Sequence, residues 1–443
     1  MNSAITSEKL ESFKKFHEND TVRQVLTGVF SKTNMNSMSY DPAEGKKQQF
    51  FFSTDIKTMS ATNQFSSGRC WLFAATNVLR EIVAKKIESD KFELSQAFLA
   101  FWDKFERINY YIESIVETAN EEASSRVVDY IVSTGVHDGG QWDMFVNIVK
   151  KYGIVPKCVY PDTFQASNTG NLNRHINNYL RAKTPVIRQL AREGKLEELE
   201  ALRTEMLEKT YSFLCSCYTT PPTEFDFEYC DKDGKVHVER NLTPNSFREK
   251  YIGEFLNDYV SVINAPTEDK PFGKTYTVKL LGNVIGGDKV CYLNLELDEF
   301  KALVVKQLED GEVVWFGSDC GKFGDGDRAV WDPEQYNDAL LTGLDSDITK
   351  ENMLNYNVSR MNHAMVITGV NIDPETGKPN RWKIENSWGD KGANGGYHVA
   401  SDKWFDEFVF QAVINRKYLE KYAEVLSGEM TELEPWDPMG SLA

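Results

Sequence analysis

Residues 64–71 of this 443-residue chain read QFSSGRCW and stand just before a long amphipathic segment. The turn-forming Ser-Ser-Gly precedes Cys70, and apolar residues then recur at helical spacing, so a helix is predicted to begin at or just after Cys70. The unpaired N–H groups of a helix N-terminus favour a thiolate and can also receive an oxyanion. This position suits a cysteine nucleophile, although position alone favours a buried structural thiol.

A cysteine nucleophile needs a general base, and the chain has six histidines. His363 is the best placed, because it opens the apolar run HAMVITGV (residues 363–370), a predicted buried strand that can fix an imidazole. The segment KIENSWG, residues 383–389, follows it. The other histidines are expected to be surface or structural residues: His17, His137, His175, His237 and His398.

These three segments, in this order, resemble the active-site segments of papain-like cysteine peptidases, where C-G-[SA]-C-[WY] surrounds the nucleophile. The resemblance implies that Cys70 attacks the substrate and that His363 is its general base. It implies that Gln64 donates to the oxyanion beside the Cys70 N–H. Asn386 would orient the imidazole, and Trp388 would shield that hydrogen bond from water.

Two details of the motifs bear on the substrate site and on the cellular environment. The segment DGGQW, residues 138–142, resembles the family's Gly-Gly segment, so Gly139 and Gly140 are expected to let an extended substrate pair as an added strand. A tight turn before a helix is the other interpretation. Ser67 replaces the first cysteine of the family motif, which removes a disulfide partner and agrees with a reducing compartment.

The spacing between the motifs indicates an insertion. Cys70 and His363 lie 293 positions apart, whereas about 130–150 separate these residues in ordinary papain-like enzymes. The extra material includes a charged segment with helical period, residues 168–216, and a hairpin pattern around Asp233-Gly234. From Thr275 onward strand patterns dominate, with one helix predicted from Leu297 to Leu308.

A papain-like chain with such an insertion resembles the bleomycin hydrolase and aminopeptidase C family over essentially its whole length. Further motifs that carry the resemblance are FEYCDKDG (227–234), VWFGSDCGK (314–322) and EPWDPMG (434–440). The implied fold class is α+β, with a papain-like core of a helical lobe and a β-barrel-like lobe, a largely helical insertion and a C-terminal arm. The expected domains are an N-terminal arm (1–60), the helical lobe with the nucleophile (61–165), the insertion with its hairpin (166–265), the β lobe with His and Asn (266–426) and the C-terminal arm (427–443).

The same resemblance implies a cysteine aminopeptidase that releases N-terminal amino acids through a thioester, with amide hydrolysis of the bleomycin hydrolase kind. It implies a homohexamer in which each C-terminal arm lies in its own active-site cleft. Trp436 and the prolines would anchor the arm, and the carboxylate of Ala443 would pair with the ammonium group of a substrate that has a free N-terminus. A frayed, solvated end is the other interpretation of this tail.

The composition limits the classes of binding partner and indicates the cellular compartment. Fifty Lys and Arg against 67 Asp and Glu give a net charge of −17, which makes nucleic acid an unlikely partner. No stretch approaches the ~18 apolar residues of a membrane span, so no membrane partner is expected. Seven sparse cysteines and a charged N-terminal stretch with no secretory pattern indicate the cytoplasm.

No metal site or cofactor is expected. Cys215 and Cys217 have no further ligands nearby in sequence and are interpreted as helix residues. Asp319, Asp325 and Asp327 lack the EF-hand spacing and are expected to form a solvated acidic loop.

Two alternatives stay open at this point. One is an intracellular cysteine endopeptidase or deamidase that uses the same dyad. The other is a non-catalytic, nucleic-acid-binding homologue, against which the intact Gln64, Cys70, His363 and Asn386 and the negative charge both argue.

Overall fold

The computed structural model describes residues 4–441. Its α-helices, in chain order, are α1 (Ser7–Glu18), α2 (Thr21–Phe30), α3 (Met35–Ser39), α4 (Cys70–Ile87), α5 (Gln96–Glu117), α6 (Arg126–Thr134), α7 (Trp142–Tyr152), α8 (Phe164–Ser167), α9 (Gly170–Arg192), α10 (Leu196–Tyr218), α11 (Pro244–Tyr251), α12 (Leu297–Glu309), α13 (Asp338–Thr342), α14 (Lys350–Asn355), α15 (Asp402–Phe408) and α16 (Ala423–Ser427). Of the described helices, none is long and apolar enough to cross a lipid bilayer.

The strands, in chain order, are β1 (Thr54–Asp55), β2 (Phe225–Cys230), β3 (Val236–Leu242), β4 (Tyr259–Ile263), β5 (Lys274–Val278), β6 (Tyr292–Asn294), β7 (Val314–Ser318), β8 (Gly324–Asp325), β9 (Val330–Trp331), β10 (His363–Ile372), β11 (Pro379–Glu385), β12 (Tyr397–Ser401), β13 (Val409–Asn415) and β14 (Thr431–Leu433).

The smaller of two compact units consists of residues 4–49 together with Asp332–Asp347. The amide of Asn337 donates to the carbonyl of Ser39 at 2.7 Å, and the rings of Tyr40 and Tyr336 meet edge to face with centroids 6.1 Å apart. Helices α1 and α2 belong to this unit, and each of their residues keeps part of its surface exposed. The unit therefore leaves an apolar helical surface uncovered within the described chain.

The larger unit, residues 50–331 and 348–441, has a helical part built on α4. The predicted helix start is confirmed, since α4 begins at Cys70 and its apolar positions are buried. The sequence also predicts Ser95 as the N-cap of the next helix, and this is confirmed because Ser95 Oγ accepts from the Phe98 amide at 3.0 Å. Cys70 is thus held at the first turn of a helix that is packed along almost its whole length.

A twelve-stranded sheet of described strands forms the other part of this unit, in the order β14-β5-β6-β4-β13-β7-β10-β11-β12-β9-β8, with β1 pairing on β10. Strand β10 pairs antiparallel with β7 and β11, and His363 lies opposite Ser318. Every residue of β10 before Ile372 is buried, which explains the continuous apolar run in the sequence. The predicted strands after Thr275 and the helix α12 are confirmed.

The predicted insertion contains α9, α10 and the β2–β3 hairpin, all where the sequence patterns place them. Cys215 and Cys217 lie in α10, as interpreted. The range expected for the insertion, 166–265, also includes β4, which pairs with β13 and β6 of the sheet. The last residues of that range therefore take part in the sheet, while the domain boundaries as a set stay predictions.

A buried ion pair joins α4 to the sheet. Arg80 Nη2 lies 2.7 Å from Glu385 Oε1, and each of the two residues is 2% exposed. Asn77 donates to the same oxygen at 2.7 Å, Thr58 donates to the other carboxylate oxygen at 2.8 Å, and Arg80 also donates to the Met59 carbonyl at 2.9 Å. Because Glu385 ends β11 and is the residue before Asn386, this network fixes the helix of Cys70 against the strand that leads into Asn386.

We predict that Arg80→Met destabilises the fold by about 3–5 kcal/mol, because it leaves a buried carboxylate without its cation. Burial raises the pKa of Glu385 to about 7 against the opposing effect of Arg80. Without Arg80 that pKa rises further. Since stability from a raised carboxyl pKa is lost as the pH rises through it, the destabilisation should be larger at pH 8 than at pH 5.

Urea unfolding at the two pH values measures this difference. The control is Arg240→Met, which breaks an exposed pair with Asp226 and should change the free energy of unfolding by less than about 0.5 kcal/mol. Equal effects of the two substitutions, or a larger effect of Arg80→Met at pH 5, would contradict the prediction.

Candidate active site

Cys70 lies at the first position of α4 and is 2% exposed. Burial raises the pKa of its thiol to about 11, while hydrogen bonds from the backbone amides of Ala364 and Trp71 act in the opposite direction. The Ala364 amide belongs to the residue after His363. The structure therefore brings the predicted nucleophile to the beginning of the strand that carries the predicted base.

The imidazole of His363 is held by the predicted asparagine. Its Nε2 lies 2.9 Å from Asn386 Oδ1, and the same oxygen accepts from the Ser387 amide at 2.8 Å. Because an amide oxygen only accepts hydrogen bonds, Nε2 carries the proton and Nδ1 is the basic nitrogen of the neutral ring. Burial lowers the pKa of His363 to about 4, and the Asn386 bond opposes that shift.

Trp388 covers one face of this imidazole. The two rings are stacked at a centroid distance of 5.2 Å and an interplanar angle of 27°, while Trp388 itself is 49% exposed. The indole thus packs against the ring of His363, and shielding of the His363–Asn386 hydrogen bond stays a prediction.

Gln64 is buried and bonded to the segment that follows Asn386. Its backbone N–H donates to the Ser387 carbonyl at 2.9 Å, and its side-chain Oε1 accepts from Ser387 Oγ at 2.6 Å. Its Nε2 donates to the Ser67 carbonyl, which leaves the second hydrogen of that amide for another acceptor. Ser67, where the family motif has a cysteine, donates from its hydroxyl to the Gln64 carbonyl at 2.6 Å.

The Gly-Gly segment lies beside the residue that follows the nucleophile. A Cβ on Gly140 would stand 2.6 Å from the indole of Trp71, and Trp71 Nε1 donates to the Asp138 carbonyl at 2.6 Å. The Gly139 carbonyl accepts from Arg107. Glycine at position 140 is therefore required by close packing, while pairing of a substrate with Gly139 and Gly140 stays a prediction.

Asp138 organises this part of the cleft, a role that the sequence reasoning missed. The carboxylate accepts from Lys104, from the Thr169 hydroxyl, from Asn173 Nδ2 at 2.9 Å and from the Gly68 amide at 3.0 Å. Burial alone would raise its pKa, but Lys104 and these donors outweigh burial and lower the pKa below its ordinary value. Its partners lie more than thirty residues away in both directions, so no local pattern could have indicated it.

The acidic loop after β7 departs from expectation. Asp319 was expected to be solvated, and this is wrong because it is 5% exposed. It accepts from the Ser359 hydroxyl at 2.8 Å and from Asn362 Nδ2 at 2.6 Å. Since Asn362 precedes His363, this buried carboxylate helps to fix the chain where it enters β10.

The C-terminal arm is ordered as far as it is described. Strand β14 pairs parallel with β5, Trp436 packs against the guanidinium of Arg126 at 3.9 Å, and Asp437 lies 2.8 Å from the ammonium group of the buried Lys270. The Met439 carbonyl accepts from the Tyr292 hydroxyl at 3.1 Å. The interpretation of this tail as a frayed end is therefore wrong for residues 431–441.

The end of the described arm reaches the Gly-Gly segment. Gln141, the residue after Gly140, donates from Nε2 to the Ser441 carbonyl at 2.8 Å. Ala443, which was predicted to contact the substrate, lies outside the described residues.

The sequence profile of the Peptidase C1-like family matches residues 4–440. The chain belongs to this family. It is 42% identical over the full length of both chains to aminopeptidase C of Listeria innocua. It is 44% identical to aminopeptidase C of Lactobacillus delbrueckii subsp. lactis, with 94% of this chain and 92% of the relative covered. It is 45% identical to aminopeptidase C of Streptococcus thermophilus, with 90% and 89% covered.

Among solved structures, the chain is similar to the crystal structure of PepW from Lactobacillus rhamnosis HN001, with a TM-score of 0.97 and 43% identity over all of both chains. The α+β, papain-like fold predicted from the motifs is confirmed by this match. The family resemblance inferred from the same motifs is confirmed by the relatives.

We predict that Asn386→Ala lowers kcat/KM about 100-fold, because the imidazole loses its fixed orientation. The substitution also removes the hydrogen bond that raises the pKa of His363. The acid limb of the pH profile, expected near pH 4 for the unmodified enzyme, should therefore move to lower pH.

The measurement is kcat/KM for an aminoacyl-arylamide between pH 3.5 and pH 8. Asn380→Ala is the control, because Asn380 lies on β11, the strand that ends just before Asn386, and its side chain bonds only Asn371 within the described chain. A limb that moves to higher pH, or an equal loss in the control, would contradict the assignment.

Proposed function

We propose that this chain is a cysteine aminopeptidase that releases single amino acids from the free N-terminus of peptides. The observation that carries the proposal is that His363 is hydrogen-bonded to Asn386, while the amide of the next residue, Ala364, bonds the thiol of Cys70. Relatives named aminopeptidase C, at more than 40% identity, support the same activity. Hydrolysis of the bleomycin amide stays a prediction.

In the first step the sulfur of Cys70 attacks the carbonyl carbon of the first peptide bond, and its proton passes to His363. Burial opposes charging either group alone. Moving the proton from the thiol to the imidazole charges both at once, and their mutual attraction then offsets the cost of burial. The neutral pair and the ion pair carry the same number of protons. The pH–activity profile therefore has one acid limb and one alkaline limb, whichever of the two forms predominates.

The tetrahedral oxyanion is held by the Cys70 amide and by the second hydrogen of Gln64 Nε2. Ser387 and Ser67 hold the Gln64 side chain in place before the substrate arrives, so little reorganisation accompanies the charge. His363 then protonates the leaving amine. Water, activated by the same histidine, hydrolyses the thioester and frees the amino acid and the thiol.

The arm accounts for the preference for a free N-terminus. The support for this role is the bond of Ser441 to Gln141, the residue after Gly139 and Gly140, where the residues before the scissile bond of a longer peptide are proposed to pair. The carboxylate of Ala443, two residues beyond Ser441, is proposed to bind the substrate ammonium. A bound arm and an N-terminally extended peptide then compete for the same space.

The proposal predicts that deleting residues 440–443 shifts the activity from an aminopeptidase toward an enzyme that also cleaves substrates with a blocked N-terminus. Cleavage of N-acetylated substrates should rise at least about tenfold and release of single residues should fall, because both the steric block and the carboxylate are lost. The measurement compares kcat/KM for a free and an N-acetylated fluorogenic arylamide on full-length and shortened protein.

Cys70→Ala in the full-length chain is the control for the source of the activity and should abolish turnover of both substrates. Turnover that persists in this variant would overturn the assignment of Cys70. An unchanged ratio of the two substrates after the deletion would overturn the role of the arm. Full-length protein that prefers the acetylated substrate would indicate an endopeptidase.

We also propose that the chain assembles into the homohexamer that the family resemblance implies. The support is the apolar surface of α1 and α2, where Phe16 is 79% exposed and Val25 is 70% exposed, with Leu10, Phe13 and Val22 also exposed. Uncovered apolar side chains on two successive helices are typical of an interface with another chain.

The double substitution Phe13→Glu/Phe16→Glu should dissociate the assembly, because it places charge on the surface that would be buried. Sedimentation velocity should show hexamer for the unmodified chain and smaller species for the variant. Leu196→Glu, at a single exposed leucine of α10, is the control and should leave the hexamer intact. A monomeric unmodified chain, or a hexameric variant, would contradict the proposal.

A cytoplasmic location is proposed because the cysteines form no disulfide bonds in the described residues. All seven cysteines lie in the described residues, and each is free there. Free thiols at exposed positions such as Cys158 and Cys230 are typical of a reducing compartment.

A further inference from the structure

We propose that Gln141 is a positioning residue that fixes how far the C-terminal arm extends along the cleft, and so where the amino end of a substrate must stop. The inference rests on the proposed aminopeptidase function. It names the residue that determines how many substrate residues fit on the amino side of the scissile bond. Gln141 is expected to act through the arm and not on the reacting atoms.

The first observation is where Gln141 stands. It follows Gly140, whose Cα is packed against the indole of Trp71, the neighbour of Cys70. Its side chain is fully buried, and Nε2 lies 2.8 Å from the Ser441 carbonyl oxygen. The amide is therefore attached to the rigid wall of the cleft at one end and to the arm at the other.

The second observation is that this amide has no alternative partner. Its Oε1 is buried and lacks a hydrogen-bond partner among the residues that the structure describes. The Ser441 carbonyl accepts a hydrogen bond, so the side-chain amide of Gln141 must point its Nε2, and not its Oε1, toward the arm. If the arm left, both polar atoms of the buried amide would be unpaired, a state that folded proteins avoid. The buried side chain of Gln141 therefore keeps its hydrogen bond only while the arm is bound in the cleft.

The third observation is the position of the bond along the arm. The contacts of Asp437 and Met439 hold the arm before Gly440, whereas the bond to Ser441 lies two residues from the chain end. One residue of extended chain spans about 3.3–3.6 Å. A slip of one residue beyond Met439 would move the chain end by a distance comparable with one substrate residue, and Gln141 opposes that slip.

The test uses Gln141→Leu, which keeps the approximate shape of the side chain and removes the donor. We expect the preference for a free over an N-acetylated arylamide, as a ratio of kcat/KM values, to fall at least about tenfold. KM for the free substrate should rise while its kcat stays within about twofold, because the catalytic groups are untouched. Gln141→Asn, which is too short to reach Ser441, should give the same result and replaces Gln141→Leu if that variant does not fold.

The matched control is Gln96→Leu. Gln96 is likewise buried, donates from Nε2 to the Thr76 hydroxyl at 3.0 Å and has an unpartnered Oε1, but it lies at the start of α5 and has no contact with the described arm. Its substitution should leave the substrate preference unchanged. A fall in preference in both variants would show a general packing effect and overturn the inference.

A chain that lacks residues 440–443 completes the comparison. In that background Gln141→Leu should change the preference no further, since both changes act through the same contact. If the deletion alters the preference and Gln141→Leu in the full chain does not, this inference fails while the role of the arm stands. If the deletion itself has no effect, the role of the arm in the proposed function fails. A loss of kcat that is equal for both substrates in Gln141→Leu would assign Gln141 a purely structural role.

Discussion

The buried ion pair of Arg80 and Glu385 is the constraint on which the active site depends. Cys70, the proposed nucleophile, and Asn386, its proposed positioning partner, belong to different parts of the larger unit: Cys70 begins a helix, and Asn386 directly follows a strand. A buried pair holds its geometry strictly, because each charge needs the other and has no water to replace it. With Asn77 and Thr58 completing the carboxylate's hydrogen bonds, the network fixes the spacing of the two parts near the catalytic groups.

The site itself combines burial with a small number of fixed donors. Cys70 and His363 both lie where water is excluded, so that each resists ionisation alone. The helix N-terminus, the Ala364 amide and Asn386 supply the compensating dipoles in advance of the reaction. Low dielectric strengthens each of these interactions, and the indole of Trp388 stacks on one face of the imidazole.

Much of this could be predicted from the sequence, because local patterns and motifs carry it. The helix start at Cys70, the cap at Ser95, the two long helices of the insertion and the strand of His363 all follow from periodicity and capping residues. The roles of Asp138, Asp319 and Glu385 could not be predicted. Each is a carboxylate whose burial is decided by partners far away in the chain, and an isolated aspartate or glutamate gives no sign of that in sequence.

The parallel pairing of β14 with β5 has a kinetic consequence. The sheet holds the base of the arm, and the described arm reaches Gln141 at Ser441. A tethered ligand acts at an effective concentration in the millimolar range, far above that of most peptides in a cell. In the proposed function, the arm would therefore compete with N-terminally extended peptides at a concentration that dilution of the protein does not lower.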